Sequence, residues 1–247
     1  MIDNQLKYFL LCIKKSNIIV PKPIKMIISG MIIGDDIISS ASKNLFPYIL
    51  SLDGKVNMKN VLIGACIGGH IEIAEYAISN GANCWISECL QVACSYGYKE
   101  IVHLLISKGS LNLNDGLYIA CRYGRREIVD LLISKGANNL NDGLYEACNY
   151  DHIKIVELLI SRGANDLNCG LQIACRGDYR EIMDLLISKG ASDLNGGLYE
   201  ACERGHMEIA EILISKGADD LNGGLRCAIY NGNQNLIKFM ISKGAIF

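Results

Sequence analysis

One glycine returns at nearly fixed intervals and limits what this chain can become. Gly81, Gly109, Gly136, Gly163, Gly190, Gly217 and Gly244 each follow an Ile-Ser dipeptide and one polar residue, usually Lys. The first interval is 28 residues and the other five are 27. A period this short holds one supersecondary unit, and a unit that small cannot bury its own apolar face. Stacking must complete the core, and seven copies exceed the roughly three that a stack requires. Ordinary size rules for globular domains therefore do not apply, because each unit meets only its neighbours.

Each copy divides into two short helices. In the unit that ends at Gly163, Leu144, Ala147 and Cys148 share one helical face. The small pair lets neighbouring first helices approach closely. An Asn recurs as Asn114, Asn141, Asn168, Asn195 and Asn222, where a side-chain oxygen would N-cap the first helix. A turn glycine follows, as in Gly124 and Gly205, and two copies place Asp151 and Asp178 there. Asp adopts the left-handed conformation more readily than most residues. The second helix, for example Glu127 to Lys135, carries acid in its first turn and base in its last, matching the helix dipole. The closing glycine then supplies the left-handed stop.

Residues 1–59 do not follow the repeat. They are expected to cap the exposed first face of the stack, with residues 35–59 as a decayed copy. Residues 60–247 are read as seven repeats. The last has Asn231, Asn233, Gln234, Asn235 and Lys238 on its outer side, as suits a carboxy-terminal cap.

Composition narrows the function. The net charge of −2 argues against nucleic-acid binding, which usually shows a basic excess. The apolar stretch from Ile18 to Ile33 is interrupted by Pro21, Lys22, Pro23 and Lys25 and is too short to span a bilayer. The amino-terminal run lacks a cleavage site for a secretory signal. Six of the eleven cysteines (Cys66, Cys94, Cys121, Cys148, Cys175 and Cys202) fill one slot of successive repeats. Stacked helices lie about 8–10 Å apart, beyond the roughly 7 Å reach of a disulfide. Free thiols acting as small hydrophobes are expected, which points to an intracellular, cytoplasmic location. Cys84, Cys89 and Cys94 have no close Cys-x-x-Cys pair to suggest zinc. No phosphate loop or catalytic constellation is present, and no cofactor is expected.

The unit Asp142 to Ala164 resembles the ankyrin repeat, with His70, His152 and His206 on that family's turn histidine. The resemblance covers roughly residues 60–247. It implies an all-α solenoid of stacked helix-turn-helix units that binds protein partners and is not an enzyme. The turn histidines would brace adjacent repeats, and Tyr118, Tyr145 and Tyr199 would take a structural slot. The family usually runs 33 residues per repeat. The residues missing here lie where its β-hairpin fingers project, so the fingers are expected to be truncated to tight turns. Short repeats rich in Asn, Ile and Lys also look like those encoded by giant DNA viruses of amoebae.

The positions after each small pair vary while the frame stays fixed. Tyr96, Arg122, Tyr123, Asn149, Tyr150, Arg176, Glu203, Arg204 and Tyr230 are the candidate partner-binding residues. Tyr and Arg are common interface anchors, and the resemblance places these slots on the concave helical face. The expected function is a monomeric scaffold for a protein partner, a host protein if the chain is viral. The alternative is an adaptor for a ubiquitin ligase, with its recruiting module inside residues 1–59. The row of Lys108, Lys135, Arg162, Lys189, Lys216 and Lys243 is read as helix-end electrostatics.

Overall fold

The computed structural model describes residues 56–246. Apart from its last four residues, the expected cap at 1–59 lies outside this range, as do nearly all of the decayed copy and any recruiting module. The described residues fall into two compact units, one ending at Gly116 and one starting at Leu117.

In the first unit, α1 (Met58–Gly68) pairs with α2 (Ile71–Ser79), and α3 (Ile86–Tyr96) pairs with α4 (Lys99–Ser107). A short 3-10 turn, Ala82–Trp85, links the pairs and takes up the one longer interval. Lys59 Nζ lies 3.5 Å from the centre of the Trp85 ring. The helix α5 (Leu113–Arg122) follows. In the second unit the pairs continue as α6 (Arg126–Ser134), α7 (Leu140–Asn149) with α8 (Ile153–Ser161), α9 (Leu167–Arg176) with α10 (Arg180–Ser188), α11 (Leu194–Arg204) with α12 (Met207–Ser215), and α13 (Leu221–Asn231) with α14 (Gln234–Ser242). No strand occurs among the described residues. The architecture is an all-α repeat solenoid, and where fingers would project the chain crosses from Ser161 to Leu167 through a short link.

Backbone conformation follows the sequence signals. Gly163 has φ 107° and its counterparts lie between 96° and 111°. Asp151 and Asp178 take φ 58° and 63°, the only positive values at non-glycine residues among those described. Leu171, Ala174 and Cys175 of α9, and their equivalents in the other first helices except Ile229 of α13, are fully buried or nearly so. The second helices contribute Ile155, Val156 and Leu159 and their counterparts to the same core.

Two expectations are corrected. The recurrent Asn does not cap its own helix, because each first helix begins one residue before it. The caps are Asp166, Asp193 and Asp220, whose side chains accept from Cys169, Gly196 and Gly223 N–H. The Asn instead reaches forward to the next link. Asn141 Oδ1 accepts from Asn165 N (2.9 Å) and Asp166 N (3.1 Å). Asn168 does the same to Ser192 and Asp193, Asn195 to Asp219 and Asp220, and Asn222 accepts from Ile246 N. The basic residue placed in the last turn of the second helix stands just outside it, as the C-cap. Several of these cations pair with an acid on the preceding second helix. Arg162 meets Asp130 at 2.5 Å, Lys216 meets Asp184 at 3.2 Å and Lys243 meets Glu211 at 3.7 Å. These pairs are partly exposed and each stabilises by at most about 1 kcal/mol.

Candidate functional site

The proposed row sits where each first helix ends. In the first unit Tyr96 is the last residue of α3 and is 49% exposed. In the second unit Arg122, Asn149 and Arg176 end α5, α7 and α9, Glu203 and Arg204 end α11, and Tyr230 lies one residue from the end of α13. Tyr123 and Tyr230 are 51% and 88% exposed and Tyr150 is 38% exposed. The Ala-Cys pair ahead of these residues is fully buried in every copy but the last, where Ala228 is buried and Ile229 is exposed, so a sealed frame carries an open edge.

Histidines hold that edge in place. His152 Nε2 donates to Arg122 O at 3.1 Å, and His206 Nε2 donates to Arg176 O at 3.0 Å. Each bond ties the last carbonyl of one first helix to the start of a second helix in the following repeat, which is the bracing role expected of the turn slot. In the last copy Asn231, at the end of α13, also reaches back, its amide donating to Glu203 O of α11.

The row is not uniform in its side-chain chemistry. The Arg122 guanidinium lies 5.2 Å from the Tyr150 ring centre, so these two predicted residues come together. Arg176 is committed elsewhere, with Nε and Nη2 each 2.7 Å from a different oxygen of Glu200. A bidentate pair of this kind fixes geometry as well as charge. Asn149 is half-buried, while Glu203 and Arg204 are exposed.

Sequence reasoning missed the acids beneath the row, Glu146 and Glu200. In neighbouring copies their slot holds Ile119 and Ile173, and Ile173 is buried. A charged residue in a slot that elsewhere takes Ile was the available signal. Glu146 is indeed buried, at 3% exposure, with Arg122 Nε 3.9 Å from its Oε2. The structural tyrosines reach toward acids. Tyr118 hydrogen-bonds the Glu146 carboxylate, and this bond raises the phenol's pKa. The Tyr199 hydroxyl donates to Asp220 Oδ2; this bond first, and burial second, push its pKa up to about 12, while the same bond and then the Gly223 N–H hold Asp220 low.

The slot thiols are buried and free. Burial pushes Cys94, Cys148, Cys175 and Cys202 up to about 12 and Cys121 higher still. A hydrogen bond with Cys89 leads the upward shift of Cys66. Thiols held protonated in this way make poor nucleophiles and poor metal ligands. No cluster of three His, Cys, Asp or Glu residues is placed to hold a metal among the described residues. No helix among them is long and apolar enough to cross a membrane.

A family model described as ankyrin repeats in three copies matches residues 37–116, 90–169, 117–196 and 171–247. A search of curated proteins finds no significant match. With helix pairs throughout the described residues and a match that spans residues 37–247, the chain belongs to the ankyrin-repeat family.

Proposed function

We propose that this protein is a non-enzymatic scaffold that binds another protein along the ends of its first helices. Ankyrin repeats generally mediate protein–protein interactions. One observation carries the choice of surface. Tyr123, Tyr150 and Tyr230 stand exposed two residues after the fully buried Cys121, Cys148 and Ala228. Aromatic side chains on a rigid edge lose little conformational entropy when they are covered, which suits them to anchoring. On this reading the helical concave face binds the partner, since the links are too short to carry projecting fingers. The buried, protonated thiols suit an intracellular, cytoplasmic setting. The repeat style resembles that of giant-virus proteins, and in that case the partner is a host protein met by a monomer.

The test is an affinity capture from host lysate with the wild-type chain and a variant carrying Tyr123→Ala, Tyr150→Ala and Arg204→Ala. All three side chains leave the core intact, so the variant is expected to keep its helical circular dichroism and lose the captured partner. Undiminished capture by the folded variant would remove this surface from consideration.

A further inference from the structure

In the second unit the slot beneath the row runs Ile119, Glu146, Ile173, Glu200 and Cys227. Glu200 shows how the fold satisfies an acid there: Arg176, 24 residues earlier, takes both of its oxygens. Arg122 stands in the same relation to Glu146 but does not repeat the arrangement. Its Nε remains 3.9 Å from Oε2 and its guanidinium faces the Tyr150 ring. The Glu146 side chain is nevertheless the more deeply buried, at 4% exposure against 19% for Glu200. Tyr118 bonds this carboxylate, yet its Oε2 has no hydrogen-bond partner.

A cavity of about 220 Å³ has Glu146 in its lining. Tyr118, Tyr145, Asp142 and Asp166 line it too. Asp142 also accepts from Asn139 and Asp166 from Cys169 N–H, which leaves both with further acceptor capacity. A buried carboxylate oxygen without a donor is costly, and a ligand that supplies the donor recovers that cost. Three carboxylates repel an anion. Two tyrosine rings favour a cation and an apolar stem. A basic side chain combines these properties, with donors at its head and methylenes behind.

We propose that this cavity is a pocket for a basic side chain, lysine or arginine, presented by a partner polypeptide. The ammonium or guanidinium donates to Glu146 Oε2 and lies between Asp142 and Asp166, while the stem passes the tyrosine rings. The inference rests on the partner-binding reading and names one chemical feature of that partner.

The test uses the full chain with isotope-labelled tyrosine, followed by NMR. The probe is the pentapeptide acetyl-Gly-Gly-Lys-Gly-Gly-amide, with arginine and norleucine versions alongside. The Lys or the Arg peptide is expected to shift the Tyr118 and Tyr145 ring signals, and the stronger of the two identifies the head group. The norleucine peptide should leave both signals in place. Glu146→Gln, which keeps the shape, should weaken binding by about tenfold or more, and so should the exposed Asp142→Asn. Equal shifts with norleucine, equal affinity in both variants, or no shift at roughly 10 mM peptide would overturn the pocket. The two proposals fail separately. Loss of the pocket with lysate capture intact removes only this inference, whereas peptide binding that survives the Tyr123, Tyr150 and Arg204 variant leaves the pocket standing apart from the row.

Discussion

Asn195 accepts hydrogen bonds from two successive main-chain N–H groups of the following link, at 3.0 and 3.1 Å, and its amide donates to Asp219 at 2.9 Å. Asn195→Ala is therefore expected to cost about 1–2 kcal/mol, because the freed N–H groups are open enough to find water. A urea titration followed by circular dichroism measures it, and an unmoved midpoint would show that the clasp does not stabilise. This role was hidden in the sequence. Asn beside a helix start reads as a cap, and the true partner lies 24 residues away, where local pattern has no reach. The left-handed Asp151 and Asp178 were legible, since they stand in a slot that other copies give to glycine. Glu146 was not: a lone acid on a short helix looks solvent-facing until the neighbouring Ile173 is compared with it.

At the level of the element, helices of nine to eleven residues are too short to persist alone in water. Their stability comes from packing, and α7 shows the constraint. Ala147 and Cys148 are both fully buried, and Gly170 of the next first helix would place a Cβ 3.2 Å from the Cys148 sulfur. Ala147→Leu is accordingly expected to destabilise by about 1–3 kcal/mol through overpacking. The readout is the thermal midpoint, and an unchanged or raised value would mean that the small pair is not at a tight seam. The helix pairs and their left-handed stops were plain in the 27-residue spacing and the apolar pattern. The starts of the first helices came two residues earlier than the Asn signal implied, because Asp166, Asp193 and Asp220 do the capping.

For the whole molecule, the buried thiols act together. Cys94, Cys148, Cys175 and Cys202 are pushed from 9.0 to about 12 in the folded chain. Unfolding returns them to the ordinary range, so the unfolded chain releases protons first as pH rises. Their contribution is complete below about pH 9 and is lost progressively between about pH 9 and 12. Tyr199, also raised to about 12, adds to the loss with the same sign. Chemical denaturation at pH 7.5, 9 and 10.5 should show stability unchanged at first and then falling, and a flat profile would contradict the buried, protonated thiols. The identity of a partner was never legible, because no pattern of side chains in the repeats names one. The Asn clasps carry one more consequence, and it concerns ancestry. The side-chain oxygen of each joins one repeat to the main chain of the next and makes no demand on the side chains of that link, to which the amides of Asn141 and Asn195 add a bond with Asn165 and Asp219. A copy of the unit is therefore ready to be joined on either side as soon as it is made. Slippage that duplicates or deletes one unit in frame yields an array whose new junction is already closed, and array length becomes a trait that inheritance can adjust one repeat at a time.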